Sequence, residues 1–436
     1  MWQCLFLGDI MERFIINGGK ELSGVITPSG NKNEVLPVLA ATLLTDERII
    51  LKNVPKIKDV EVMIEVMKGI GSSIEWINDT ELMIINKGVN SVELPPEECQ
   101  KIRASILFLG PMVAKHKKVY LPFPGGDVIG RRRLDTHFLG LEKLGAEIVV
   151  DKRFEVFTDG LIGREIFLDE PSVTATENIL MASVLAKGVT IIRNSAQEPH
   201  VTKLIQFLNS IGARIEGRNT STLYITGVER LYGGEHTISP DYLEVGSYIG
   251  LAALTKSEIK IKNAKKDDMH MILLNFEKIG ITTKWDGNDL IIPKEQTLEI
   301  KDDMMGAVPQ IYDGPWPAFP TDLMSIVITV ATQSKGTIIF FEKMFEGRMY
   351  FVDSLIGMGA RIIPCDPHRV VVVGPSKFYP STLDSPDVRA GMSLLIAAIS
   401  AKGESKIYNI RQIDRGYAHI EKKLQAIGVD ITREKI

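Results

Sequence analysis

EVLPVLAATLLTDERIILKNVPKIKDVEVMIEVMKGIG, residues 34–71, carries the plan of the chain. It opens on EVLPVLAATLL, apolar on nearly every face, and a helix of that kind is buried rather than laid on a surface. RIILKN follows, a β-branched strand. A polar loop then enters an amphipathic helix that stops at Ile70-Gly71, glycine being a usual helix terminator. Beyond the glycine, SSIEWINDTELMIIN sets Asn and Asp between two strand-like runs, the mark of a hairpin.

The same plan recurs along the chain. Apolar helices ending in a glycine close at Leu144-Gly145, Ile211-Gly212, Ile279-Gly280, Met358-Gly359 and Ile427-Gly428 as well. A spacing of roughly 70 residues marks an array of structural units. The all-apolar helices are ASILFLGPMVA, ENILMASVLA, GSYIGLAAL, LMSIVITVA and GMSLLIAAISA, and further hairpins fall at ARIEGRNTSTLYIT, TTKWDGNDLIIP and ARIIPCDPHRVVVVG. The last unit stops at VDITREKI without its second hairpin strand, and RFIIN near the N-terminus resembles the missing ELMIIN. The expectation is an α/β chain of two domains, three units each, with buried helices inside, sheets outside and two chain crossings. Residues 11–31 with 242–436 form one discontinuous domain, and 32–241 form the other. Residues 1–10 read as an N-terminal extension, lacking the basic region and cleavage site of a signal peptide.

Composition narrows the function. With 436 residues and ordinary apolar content the chain can bury two cores. A net charge of -4 argues against a general nucleic-acid footprint. Cys4, Cys99 and Cys365 show neither metal spacing nor a disulfide framework, which fits a reducing cytoplasm. The seven histidines form no HxH or HExxH pattern, so neither metal nor cofactor is expected. No apolar run approaches membrane-span length.

Chemistry concentrates in the loops that precede the six buried helices: TPSGNKNEV, PEECQKIRAS, EPSVTATEN, SPDYLEVGS, FPTDLMS and SPDVRAGMS. Helix N-termini present free N–H groups and positive partial charge, so they bind anions. These loops hold Lys32, Asn33, Arg103, Ser172, Asp241, Asp322, Asp387 and Arg389. The acids and Ser172 serve either as N-caps or as ligand groups. Lys32 and Arg389 oppose the helix dipole, so a negative partner is required, and an anionic ligand is the economical candidate. FPGGDVIGRRRLDTHF adds glycines and three consecutive arginines. Its loop, 123–134, reads as a mobile cationic lid over a phosphate, the alternative being a solvated loop. Glu346 and Arg348 lie in KMFEGRMYF, and Asp414 precedes Arg415 in QIDRGYAHIEKKL. That last pair is either a surface pair or a carboxylate positioning Arg415.

SGNKNEVLPVLAATLL, IRASILFLGP, GGDVIGRRRLDTHFLGLEKLGA, PAFPTDL, FEGRM, DVRAG and IDRGY together resemble the UDP-N-acetylglucosamine enolpyruvyl transferase family from about Met11 to the C-terminus. The related shikimate-pathway enzymes share the fold but not SGNKN. The resemblance implies two inside-out α/β barrels with the active site in the cleft between them, acting without cofactor on phosphoenolpyruvate and UDP-N-acetylglucosamine. It implies a cytoplasmic monomer or weak homo-oligomer in peptidoglycan precursor synthesis. Lys32, Arg132 and Arg415 would hold phosphoenolpyruvate. Asn33, Arg103, Asp322, Met344, Glu346 and Arg348 would contact the amino sugar. Arg132, Arg133, Leu134, Asp135 and His137, with Ser172 and Val173, would line the nucleotide side, and Arg389 with Asp387 would help close the cleft. Asp322 would take the hydroxyl proton.

Two positions depart from the family pattern. The lid usually carries a cysteine, and here Asp127 stands there. Asp127 is expected to protonate C3 of phosphoenolpyruvate, and without a thiolate the epoxide fosfomycin has no strong nucleophile to alkylate. Near the diphosphate, Glu170 and Thr174 stand where Lys and Gly are common, and Arg133 replaces a frequent proline and is expected to restore the lost charge. These changes leave open an enolpyruvyl transferase acting on another nucleotide or nucleotide sugar. A regulatory paralogue that binds without turnover is the further alternative.

Overall fold

The computed structural model describes residues 12–127 and 129–436; the extension assigned to 1–10 lies outside them, as do Met11 and Val128. The chain divides into two compact units. The first comprises Tyr242–Gly314 and Phe319–Ile436 with the N-terminal segment up to Pro28, and the second comprises Ser29–Asp241 with Pro315–Ala318. The first crossing therefore falls three residues before the expected 31/32 boundary. Backbone pairing explains the shift: the Asn31 amide donates to the Ser239 carbonyl (2.7 Å) and the Asp241 amide to the Ser29 carbonyl (2.8 Å). Pro315–Ala318 was expected in the first unit, yet the Trp316 amide donates to Glu198 Oε1 in the second (3.2 Å).

Among the described residues each unit contains three sheets and three helices buried nearly all round. Tyr242–Leu254 and Met324–Ala331 are buried at every position, and Val388–Ser400 at all but the last. In the other unit Lys32–Thr42 is buried from Glu34 onward and Val173–Ser183 from Ala175 onward. Each buried Leu, Ile or Val is stabilised by about 1.5–3 kcal/mol relative to exposure, so packing rather than propensity holds these helices. ASILFLGPMVA departs from one continuous helix. It forms a 3-10 turn at Arg103–Phe108 and an α-helix at Leu109–His116. Pro111 lacks the N–H that would bond the Leu107 carbonyl, so the α-helix starts afresh with proline in its first turn. There Gly110 allows close packing: a Cβ would meet the Asn178 carbonyl oxygen at 2.3 Å.

The recurrent glycines have one conformational cause. Gly71, Gly145, Gly212, Gly280, Gly359 and Gly428 all have φ between 88° and 109°. The amide after each closes back on the helix, as Ser72 N does to Met67 O (3.0 Å) and Val429 N to Leu424 O (3.1 Å). This left-handed cap strains any residue with a Cβ.

Among the described residues five sheets have four strands and one has three. In four of the five, the strand after a buried helix pairs antiparallel with a hairpin, in the fifth with the N-terminal strand, and in all five a fourth strand joins parallel. In the three-stranded sheet of Lys118–Leu121, Phe154–Phe157 and Glu147–Val150, the fourth strand shrinks to a single parallel bridge between Glu93 and Tyr120. RFIIN does complete the last unit. Glu12–Gly18 pairs antiparallel with Gly403–Tyr408 and Ile431–Lys435, Phe14 lying opposite Ile407 and Arg433. No helix among the described residues is long and apolar enough to cross a membrane.

Candidate active site

In the second unit Asn31 caps the Lys32–Thr42 helix, its side chain accepting from the Glu34 amide. Lys32 and Asn33 therefore occupy the first helical turn, one step later than their loop placement in the sequence. Lys32 Nζ lies 2.7 Å from Asp59 Oδ2, both side chains nearly buried. Its amide donates to Asp241 Oδ2 (3.4 Å). Asp59 is thus a negative partner for Lys32 within the protein, beside the anionic ligand expected there. Asp59 sits in the first turn of the amphipathic Lys58–Gly69 helix. Nothing in its sequence context sets it apart from an ordinary helix-start acid.

Loop 123–134 connects the strand Lys118–Leu121 to the helix Asp135–Lys143. The Gly125 amide donates to the Cys99 carbonyl (3.4 Å). A Cβ on Gly125 would meet the Gln100 oxygen at 1.7 Å, and one on Gly126 the Arg103 Cβ at 2.9 Å. The glycines that read as mobility therefore serve close approach to residues 99–103. Arg103 donates through Nη2 to the carbonyl oxygens of Arg132 and Arg133. Burial, followed by the neighbouring Arg132 charge, pulls the Arg103 pKa down to about 10. Cys99, distant from the loop in sequence, is brought against it. Its thiol is buried and pushed up to about 12 by that burial, so it presents no thiolate at neutral pH.

Arg133 was expected to restore charge beside the diphosphate. Instead Nε contacts Asp135 Oδ2 and Nη2 contacts Asp169 Oδ2, each at 3.1 Å. Asp169 also accepts from Thr136 Oγ1 (2.7 Å). Leu134 stands at the N-cap position of the following helix, and Asp135 opens it.

The His137 ring is 1% exposed and does not line a ligand surface. Asn178 accepts at Oδ1 from the Gly110 amide (2.8 Å), so its Nδ2 donates to the Ile106 carbonyl (2.7 Å) and to His137 Nδ1 (2.9 Å). That assignment leaves His137 Nε2–H to donate to Thr174 Oγ1 (3.1 Å). Burial, with a smaller contribution from Arg103, lowers the His137 pKa to about 3, so the ring is neutral. Thr174 therefore closes a core network. Ser172 caps the Val173–Ser183 helix by accepting from the Ala175 amide.

The first unit gathers a second cluster. Asp322 lies in the 3-10 turn Thr321–Leu323, which has no side-chain cap, so its carboxylate is not an N-cap. Arg348 Nη2 donates to Asp322 Oδ1 (2.5 Å), and Arg389 Nε donates to Oδ2 (3.4 Å). Burial works against the Arg348 charge; Asp322, Asp387 and Glu342 overcome it and leave its pKa above the ordinary value. Asp387 does cap its helix, accepting from the Arg389 and Ala390 amides at 2.7 and 3.0 Å. Arg389 is 4% exposed and faces the Tyr417 ring. Met344, Glu346 and Arg348 share the segment after the strand Gly336–Phe341. Glu342, at the head of that segment, escaped the sequence reading, since an acid after a strand carries no signal of burial.

Asp414 does not turn to its neighbour Arg415. It accepts two bonds from Arg433 (2.7 and 2.9 Å), which also bonds Glu12 (2.8 Å) and Glu421 (3.2 Å). Arg415 Nη1 donates to Gln412 Oε1 (3.1 Å).

Comparison with known proteins defines the class and then the family. The family model described as EPSP synthase (3-phosphoshikimate 1-carboxyvinyltransferase) matches residues 16–424. The enolpyruvyl transferase NikO from Streptomyces tendae superposes with a TM-score of 0.87 at 21% identity, covering 98% of this chain and 100% of its own. EPSP synthase from Acinetobacter baumannii gives a TM-score of 0.74 at 16% identity, covering 98% of this chain and 100% of its own. The fold is that of the enolpyruvyl transferases. The UDP-N-acetylglucosamine 1-carboxyvinyltransferase of Bradyrhizobium diazoefficiens is 52% identical, covering 97% of this chain and 98% of its own. That of Treponema denticola is 51% identical, covering 97% and 99%. The chain belongs to the UDP-N-acetylglucosamine 1-carboxyvinyltransferase family.

Proposed function

We propose that this protein transfers the enolpyruvyl group of phosphoenolpyruvate to the 3-hydroxyl of UDP-N-acetylglucosamine, releasing phosphate, in peptidoglycan precursor synthesis in the cytoplasm. Family membership at 52% identity across nearly the whole chain carries the reading. In the finer picture each unit is an inside-out α/β barrel, a picture supported by the helices buried on all sides.

The sugar hydroxyl oxygen bonds to C2 of phosphoenolpyruvate while C3 takes a proton. The C2–O bond to phosphate then breaks, C3 gives up a proton, and the enol ether forms. An oxocarbenium-like centre develops at C2 between a phosphate and a carboxylate, and fixed cations hold those anions best. Lys32, Arg132 and Arg415 take that role, with Asp59 fixing the direction of the Lys32 ammonium. Asp322 accepts the hydroxyl proton, its oxygens oriented by Arg348 and Arg389. Asp127 delivers the proton to C3. Asn33, Arg103, Met344, Glu346 and Arg348 border the sugar, while Arg133, Leu134, Asp135, Ser172 and Val173 border the nucleotide. With its ring in the core, position 137 acts there only through its backbone. Asp387 and Arg389 support closure.

A different acceptor nucleotide is the second reading. It is favoured by the pairing of Arg133 with Asp135 and Asp169, which leaves that arginine shared among three carboxylates when Glu170 is counted. Phosphate release from phosphoenolpyruvate with UDP-N-acetylglucosamine, followed by product mass, separates the readings. Release with the enolpyruvyl mass added to the sugar nucleotide is the expected result. Release only with another nucleotide moves the acceptor. No release with any nucleotide, while ligands still bind, would favour a regulatory paralogue.

A further inference from the structure

Glu342 and Asp313 are two acids sealed in the first unit, 0% and 1% exposed. Neither touches solvent, and both are surrounded by backbone that leads to the candidate site. Glu342 Oε1 accepts from the Met344 and Phe345 amides, both at 3.1 Å. Thr321 Oγ1 lies 3.0 Å from Oε1 and 2.9 Å from Oε2. Asp313 Oδ1 accepts from the Lys343 amide at 2.5 Å. The two carboxyls therefore tie residues 313 and 321 of one segment to residues 343–345 of the other. Asp322 follows directly on Thr321, and Arg348, three residues beyond Phe345, bonds Asp322. The ion pair at the proposed base is held from both ends by this acid pair.

We propose that Glu342 is a positioning residue for the transfer reaction, sharing one proton with Asp313 in a latch that fixes the Thr321–Asp322 turn against the 343–348 segment. The catalytic part of this rests on the function proposed above. Asp313 Oδ2 has no hydrogen-bond donor among the described residues. Two ionised carboxylates would both be acceptors and would leave it so, whereas a proton on Glu342 supplies the missing donor. Like charges in a dry site cannot both persist, which makes one shared proton the stable state. One charged neighbour works against the shared proton, and the others leave it undisturbed. Arg348, from the same loop, opposes protonation of Glu342 and is itself occupied by Asp322 and faces Asp387. Lys343 gives Asp313 only its amide, its ammonium lying over the Tyr312 ring. His368, from the adjoining hairpin, uses Nδ1 on the Glu342 carbonyl oxygen (2.7 Å), not on the carboxyl.

Burial first, then the bond to Asp313, push Glu342 up to about 9. The folded chain thus keeps a proton that the unfolded chain has released above the ordinary glutamate range. Stability from the latch is full below that range and is lost as pH rises through about 9.

Glu342→Gln and Glu342→Ala test the proposal, with turnover followed from pH 6 to 10 and amide exchange at Met344 and Phe345 measured without ligand. Misplacing a catalytic group by about 1 Å costs on the order of a hundredfold, so Glu342→Ala is expected to lose roughly that in turnover. Its Met344 and Phe345 amides should exchange faster. Glu342→Gln keeps the acceptor oxygen and a permanent donor. It should recover most of the loss at neutral pH and lack the alkaline fall expected of the native chain near pH 9. A Gln variant as impaired as Ala, or one keeping the native alkaline limb, overturns the shared proton. Native amide protection in a folded Ala variant overturns the latch. Exchange needs no substrate, so a wrong acceptor assignment appears separately, as absent turnover in the native chain.

Discussion

The Asp322 cluster and loop 123–134 are both rich in charge, yet they are built in opposite ways. Around Asp322 the charges are paired side chain to side chain, with the nearly buried Arg348 and Arg389 on the two oxygens of one half-buried carboxylate. In the loop several ties run to backbone: Arg103 holds the carbonyls of Arg132 and Arg133, and Gly125 and Gly126 pack on residues 100–103. The side-chain pairs that the loop does make, from Arg133 to Asp135 and Asp169, are partly exposed. A cluster in which both oxygens of one carboxylate are held by nearly buried arginines is pre-organised, which suits the base proposed there. A loop held by backbone contacts can exchange them at modest cost, which suits the lid expected of this segment.

The comparison is broken most directly at its ends. Asp322→Asn removes the base but keeps a side chain able to meet one arginine. Turnover should fall by about 10²–10⁴-fold with phosphoenolpyruvate affinity little changed. Lys32→Ala should instead abolish detectable turnover through lost phosphoenolpyruvate binding, measured by titration calorimetry. Near-native rates in either variant would remove that residue from the mechanism.

A smaller effect is expected inside the loop. Asp127→Asn should lose about 10²-fold in rate while both substrates still bind, since only the C3 proton is withheld. The native protein should show no time-dependent inactivation by fosfomycin, because Cys99 is the thiol near the loop and its pKa is about 12. Asp127→Cys should become sensitive. Inactivation of the native chain, with the adduct located by mass spectrometry, would show a nucleophile that this geometry does not offer.

The smallest effect sharpens the contrast. Arg103→Ala leaves the Arg132 carbonyl without its donor, a loss of about 1–3 kcal/mol in local stability. Hydrogen exchange should quicken through the loop and leave the Asp322 turn unchanged. Spread of the effect to residues 321–323 would mean that the two regions are not independent.

Much of this was legible in residue order. The six glycine caps, the helices apolar on every face and the return of RFIIN to the last sheet follow from short-range chemistry. A left-handed cap needs glycine, an all-apolar helix needs a core, and an unfinished hairpin needs a strand. The site residues were legible as motifs, but their partners were not. Asp59 beside Lys32, Asn178 around His137, Arg433 on Asp414 and the Glu342–Asp313 pair are far apart in sequence or carry ordinary types in ordinary places. The close approach made at Gly125 and Gly126 was not legible either, since a glycine needed for close approach and one needed for freedom look alike until the opposing backbone is known.

The sequence by itself determined the repeat, the buried helices, the family and the residue types available for chemistry, because these depend on local propensity and pattern. Only the tertiary structure decided which charges are neutralised, which rings are sealed and which acids share a proton. Those outcomes depend on burial and on distances of about 3 Å between residues far apart along the chain, where a polar group meets either a partner or the cost of having none.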